Sequence, residues 1–204
     1  HEYWACKTAI EMQDKLAILR EGWQEEGDRW PEIVHNMQNR IGISSGQMVT
    51  GNMGSEARMN YTMMGDNVNT AARLESSAKQ YGIYIQIADS TYQAVKEKVV
   101  VRDLDNVRVL GKNEPVKVWE LISEVGQEPD QYKKILPAYH EALDLYKNQE
   151  WSKAIDAFKA SDELEEMFGG RKTNPSRIYI PRCEHYLENP PGEDWDGVWT
   201  LTSK

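Results

Sequence analysis

Cysteine is nearly absent from this chain. The two present, Cys6 and Cys183, lie far apart and form no C-x-x-C pair. That argues against a disulfide framework or a zinc site and points to a reducing, cytoplasmic setting. No apolar run approaches the roughly 18 residues of a membrane span, and no signal peptide opens the chain. This region is therefore not expected to insert into a membrane, although an anchor elsewhere in a longer parent stays open. Positive charge is also short: 24 Lys and Arg stand against 33 Asp and Glu, a net charge of -9. Sequence-independent nucleic-acid binding needs a basic face, so it drops out as a function. An anionic substrate would need positive charge that is local.

What is present suffices for a core. Apolar residues make up 40% of 204, enough for one ordinary domain plus an appendage. There is no initiator Met, and residues 2–26 already read as a helix, with Ala5, Ile10, Met12, Leu16 and Leu19 near helical spacing. The chain reads as a piece of a longer protein.

The pattern then alternates. Residues 38–44 predict a strand, "SG" at 45–46 a turn, "QMVTGNMG" a second strand and residues 58–64 a third. Asp66 is read as the N-cap of a helix running to about Gln80 and stopped by Gly82. A strand at 83–88 and a short helix from Asp89 follow. A hairpin comes next, its tip at Gly111-Lys112-Asn113-Glu114. Mixed elements up to residue 124 predict an α+β domain. A polar linker, "SEVGQEPDQ", divides it from a helical part over 125–204. There, residues 131–148 and 150–167 read as an antiparallel pair resembling one tetratricopeptide unit. One unit cannot bury its own apolar face, so it is expected to dock on the first domain. A further short helix near 175–188 precedes a Pro- and Trp-rich tail. Its Trp195 and Trp199 are expected to pack against the body, ahead of any ligand-stacking role.

One stretch carries chemistry. In "YTMMGDNVNTAARLE", Asn69 and Arg73 are four residues apart, on one face of a helix that starts after a tight turn. A helix N-terminus attracts phosphate, and Arg adds a permanent charge and a planar donor fork matched to phosphate oxygens. Together they could stabilise negative charge developing at phosphorus. Spacing alone also allows, and favours, a plainer reading in which Arg73 pairs with Glu75 or a neighbour.

The surrounding residues change that balance. "RIGISSGQMVTGNMGSEARMNYTMMGDNVNTAARLE" resembles the second half of the class III nucleotide cyclase catalytic domain, the adenylyl and guanylyl cyclase family. The resemblance covers about residues 1–123. It includes R-x-G-I-x-S-G, G-N-x-G-S, Y-T-x-x-G-D-x-V-N-x-A-A-R-L-E, the later Y-G-I strand, and a G-K hairpin leading to W-E-L. It implies a ferredoxin-like cyclase fold. Asn69 and Arg73 match the family's transition-state pair, the amide orienting the ribose region and the guanidinium holding the phosphate. Thr62 matches the position that helps read the purine, where Thr or Asp goes with adenine. Lys112 sits where the family places a triphosphate-binding lysine, although a solvated turn lysine reads nearly as well. Asp66 is read as a cap and not a metal ligand.

The family also binds two divalent metals, Mg²⁺ or Mn²⁺, through two aspartates on elements before the opening helix, together with a base-reading lysine. No counterpart of these appears here. The resemblance further implies head-to-tail homodimers, each active site drawing on both protomers. Three readings follow: part of an adenylate cyclase converting ATP to cyclic AMP and pyrophosphate; an inactive cyclase-like module that binds nucleotide or regulates; and an interaction protein working through its helical hairpin. Retention of Asn69, Arg73 and Thr62 favours the first, and the missing metal ligands keep the second open for this region. The third would need further helical repeats. Residues 1–204 alone are expected to lack activity, and the "RIGIS" strand is expected to have an unpaired edge.

Overall fold

The amphipathic stretches fold as helices on both faces of a short mixed sheet. A computed structural model describes residues 1–107, 116–165, 172–192 and 194–199. The chain opens with α1 (Glu2–Glu25), a single 3-10 turn and α2 (Glu32–His35). Next come β1 (Ile41–Ile43), β2 (Val49–Ser55), β3 (Arg58–Met64) and α3 (Asp66–Tyr81). They are followed by β4 (Ile85–Ala88), α4 (Asp89–Val95), β5 (Val99–Val107) and β6 (Val116–Glu124). The C-terminal helices are α5 (Asp130–Lys147), α6 (Trp151–Leu164) and α7 (Pro175–Glu188). No helix among the described residues is long and apolar enough to cross a membrane.

The main sheet has the order β1-β4-β6-β5, and β2 and β3 form a separate two-stranded ribbon. β1 runs parallel to β4, while β4–β6 and β5–β6 are antiparallel. Register decides which helix covers which face. Gly42 pairs Gln86, Gln86 pairs Glu120, and Glu120 pairs Arg102, so these four share one face. α3 lies on that face. A Cβ on Gly42 would stand 2.1 Å from the Ala71 carbonyl oxygen, so only glycine admits the helix this close. The Ser77 hydroxyl donates to Gln86 at 3.0 Å. The opposite face, with Ile85 and Ile87, packs on Cys6 and Ala9 of α1 and Val95 of α4. There Trp119 lies 4.1 Å from the Tyr92 ring and donates its indole N–H to Asp89 at 3.0 Å.

Cys6 and Cys183 are buried free thiols, pushed by burial up to about 11 and about 12. They are packing residues, not nucleophiles.

The C-terminal helices have their own core. Tyr139, Tyr146, Trp151, Phe158, Tyr179 and Tyr186 pack together, joined by Ala142 and Ala154. Phe158 stacks on Tyr179 at 5.0 Å, and Tyr146 meets Tyr179 edge-on at 4.8 Å; such pairs add about 0.5–1.5 kcal/mol each beyond area burial. Trp195 and Trp199 close this cluster, as expected from the sequence.

Docking onto the sheet runs through β5. Arg102 is fully buried; its Nε donates to Glu120 at 2.7 Å and its two terminal nitrogens to Glu165 at 2.9 Å each. Burial pulls the Arg102 pKa down, but the charge of Glu120 and the bonds and charge of Glu165 outweigh it, so the guanidinium stays charged. Glu165 closes α6, so Arg102 ties the sheet to the end of that helix. Leu104 is an extra residue on β5 at a bulge between the Asp103–Trp119 and Asp105–Val118 pairs. Its carbonyl accepts from the Tyr179 hydroxyl.

Two expectations change in detail. The strand expected over 38–44 pairs only at Ile41–Ile43. Asp66 is not the N-cap of α3. Gly65 holds that position, at φ 153 and ψ 166, and no side-chain cap bond forms. The glycine permits the chain to break one residue earlier, which leaves Asp66 in the first helical turn, where its charge still suits the helix dipole.

Candidate active site

The site residues straddle one glycine. β3 ends at Met64, α3 begins at Asp66, and Gly65 alone lies between them. A Cβ on Gly65 would meet the Gln47 carbonyl and Met48 Cα at an ordinary 3.4 Å, so it is the positive φ of 153 that favours glycine here. Thr62 lies on β3, paired with Gly51 across the ribbon, and is exposed. Asn69 and Arg73 lie on the first turns of α3, also exposed. The buried face of the helix is formed instead by Thr70, Leu74, Ala78 and Tyr81. The 3.6-residue period turns Asn69 and Arg73 together away from the sheet. Glu75, the partner first considered for Arg73, stands 3.9 Å from Arg40. Lys112 lies outside the described residues.

Asn67 was not singled out in the sequence, yet it anchors this turn. Its side-chain amide donates to the Gln47 carbonyl at 3.2 Å and accepts from the Ser44 hydroxyl at 3.4 Å. A Cβ on Gly46 would collide with that amide at 2.1 Å. The S-S-G turn is thus shaped to receive Asn67, which ties β1 to the start of α3. A glycine in a turn followed some twenty residues later by Asn is too common a pattern to have shown this.

The far end of α3 is equally fixed. Gly82 is left-handed at φ +64, and Ile83 N–H closes on the Ala78 carbonyl at 3.1 Å, a glycine-dependent helix stop.

A groove of about 750 Å³ runs between α1, β1 and α3, lined by Trp4, Thr8, Met12, Ile41, Gly42, Ala71 and Glu75 among others. Thr62, Asn69 and Arg73 do not line it. Among the described residues no group of three or more His, Cys, Asp or Glu side chains could hold a metal ion. Asp103 faces Lys117 and Lys147 at 3.0 and 2.9 Å, and Asp105 faces Arg182 at 2.7 Å. These carboxylates are engaged by cations and do not fit a divalent metal.

Comparison with known proteins identifies the family. The family described as "Adenylate and Guanylate cyclase catalytic domain" matches residues 1–123. The chain belongs to that family. Among individual relatives, it is 34% identical over 183 residues to "Adenylate cyclase, terminal-differentiation specific" of Dictyostelium discoideum, a match taking in 88% of the chain but 8% of that protein. It is 30% identical over 125 residues to "Adenylate cyclase 1" of Rhizobium meliloti (strain 1021), covering 61% of the chain and 18% of the relative. The chain therefore spans a small part of the relatives it matches. The Dictyostelium match necessarily runs past residue 123 into the helical region. Among solved structures, the adenylyl cyclase CyaB from P. aeruginosa aligns with a TM-score of 0.48 and 30% identity, over 59% of this chain and 58% of that one.

Proposed function

We propose that this chain is the substrate-orienting part of an adenylate cyclase that converts ATP to 3′,5′-cyclic AMP and pyrophosphate. The observation that carries this reading is the placement of Thr62, Asn69 and Arg73, all exposed, on either side of the Gly65 turn. In this proposal the ribose 3′-hydroxyl attacks the α-phosphorus and pyrophosphate leaves. Arg73 hydrogen-bonds the phosphoryl oxygens as charge builds on them, Asn69 holds the ribose, Thr62 reads the adenine edge and Lys112 holds the triphosphate. Mg²⁺ or Mn²⁺ would be held by residues other than those described. The relatives named as adenylate cyclases support ATP over GTP.

The active species is proposed to be a head-to-tail homodimer. The β2–β3 ribbon supports this: Val49, Met59, Tyr61, Met63 and Met64 on it are all exposed. Met59, Tyr61 and Met63 share one face of the ribbon and the paired Val49 and Met64 the other; an isolated two-stranded ribbon is marginal in water, and apolar side chains exposed on both faces favour a covering partner. Residues 1–124 would form the cyclase part and 125–204 its helical extension.

The test is Arg73→Ala in the full-length protein. kcat should fall by about a hundredfold or more with KM for ATP little changed, because the contact strengthens only in the transition state. A rise in KM with kcat intact would point to the second reading, a nucleotide-binding module without cyclase chemistry.

A further inference from the structure

The site accounts for the first turns of α3 but not for the way its last turn is held. Tyr81, the final residue of α3, is buried, and its hydroxyl donates to Asp105 Oδ2 at 2.6 Å. The same oxygen accepts from Arg182 Nη1 of α7 at 2.7 Å, and Asp105 Oδ1 accepts from the Asn106 backbone N–H at 2.8 Å. One carboxylate, 7% exposed, thus joins α3, β5 and α7. The Arg182 guanidinium also lies over the Tyr179 ring at 4.9 Å and the Trp199 ring at 5.4 Å, so its direction is fixed by packing.

A second contact acts at the same point. A Cβ on Gly82, just past the end of α3, would lie 2.0 Å from the Thr173 carbonyl oxygen, on the segment leading into α7. Ile178 of α7 packs on the core formed by Leu74, Ala78, Tyr81 and Leu104. The catalytic-domain helix and the C-terminal region are therefore fitted to each other to within an atom's width. Buried ion pairs contribute little net stability and are best attested as devices that fix registry. Here the registry concerned is that of α3 along and about its axis.

We propose that Asp105, Tyr81 and Arg182 are positioning residues, through which the C-terminal helices set the rotation and axial position of α3 and so place Asn69 and Arg73. This rests on the reading of Asn69 and Arg73 as the transition-state pair. An α-helix moves nearly as a rod, so slack at Tyr81 appears at Arg73 two turns away. A misplacement of about 1 Å costs up to a hundredfold in rate. The helical region is then part of what makes the cyclase competent.

Tyr81→Phe tests this with least disturbance, because it keeps the ring in the core and removes only the hydroxyl. Arg182→Met and Arg182→Lys accompany it, all in the full-length protein. The readouts are kcat, KM for ATP, and backbone hydrogen exchange over residues 66–81. Tyr81→Phe should lower kcat about fivefold or more with KM within about twofold and raise exchange along α3. Arg182→Met should do the same more strongly, and Arg182→Lys should recover part of the loss. Unchanged kcat and unchanged exchange in both Tyr81→Phe and Arg182→Met would overturn the proposal. Arg73→Ala, run in parallel, separates the two ideas. If it collapses kcat while Tyr81→Phe and Arg182→Met do nothing, positioning fails and the site reading stands. If Arg73→Ala leaves kcat intact, the site reading fails whatever the exchange data show.

Discussion

The two edges of the main sheet are finished differently. At β5 the outward backbone groups meet side chains of the C-terminal helices. The Asp103 N–H donates to His140 Nε2 at 3.4 Å, and the Leu104 carbonyl accepts from Tyr179. At β1 the only strand partner among the described residues is β4, and the groove beside it is walled largely by apolar side chains, with Thr8, Arg40 and Glu75 among them. The contrast extends outward from each edge. Beyond β5 lies a dense aromatic core with buried ion pairs; near β1 lie the exposed Trp4 and Met12 of α1 and the apolar β2–β3 ribbon. The difference separates a surface covered by the C-terminal helices from one where apolar side chains stay exposed. Thr62, Asn69 and Arg73 belong to the open side, where nucleotide and a second protomer would have to enter. Unpaired strand edges recruit other chains, which is why the proposed dimer is expected to form on this side.

The largest effect is expected when the open edge is left unanswered. Residues 1–204 expressed alone should form no cyclic AMP from ATP with Mn²⁺, and their mass in solution should exceed that of a monomer. A monomer that turns over ATP would show that the metal ligands lie within this chain.

The next largest effect should come from the covered edge. Arg102→Met leaves Glu120 and Glu165 buried without their shared cation. Breaking a buried ion pair from one side costs about 3–5 kcal/mol. Urea denaturation should show that loss, and limited proteolysis should cut first within residues 125–192, where the helices have been released.

A smaller effect is expected back on the open side. Thr62→Cys replaces a hydroxyl at the proposed base edge with a poor hydrogen-bonding group. ATP selectivity over GTP should weaken by about 1–2 kcal/mol, read as the ratio of kcat/KM values. Unaltered rates with both nucleotides would show that Thr62 does not read the base.

Acid should loosen the covered edge while sparing the open one. Burial holds the His140 pKa below the ordinary histidine value, against the opposing charge of Asp103. Its Nε2 accepts a hydrogen bond, so protonation removes the acceptor that caps β5. A histidine with a lowered folded pKa takes up its proton preferentially when released. Docking is therefore fully stable above the ordinary value of about 6.5 and weakens as the pH falls from there toward the lowered folded value. His140→Gln should flatten this dependence below about pH 6.5, measured as thermal midpoint against pH.

Much of the architecture was legible in the chain because it is local. Helical spacing marked α1, α3, α5 and α6 to within a few residues. Gly82 located the end of α3 and Asp66 its start to within one residue, although the cap is Gly65, through a backbone angle that composition does not encode. Asn69 and Arg73 were found together because four residues make about one helical turn, whatever the rest of the fold does. Docking of the helical part could be anticipated, since a lone helical pair leaves an apolar face bare. Its means could not.

Arg102 reaches Glu165 across 63 residues, Asp105 reaches Arg182 across 77, and Tyr81 reaches Asp105 across 24. No period links such positions. Each is one charged or polar residue among many, and its partner is chosen by strand register, by the extra residue at Leu104, and by which helix covers which face. The elements, and the face of α3 that carries the proposed chemistry, are written locally in the chain, because they depend on neighbours within a turn or a strand pair. Which sheet edge is closed, which carboxylates are neutralised and what holds α3 in place emerge only once the chain has folded. Those outcomes depend on long-range pairing in a low-dielectric interior, where a buried charge must find its counter-ion wherever the chain brings it.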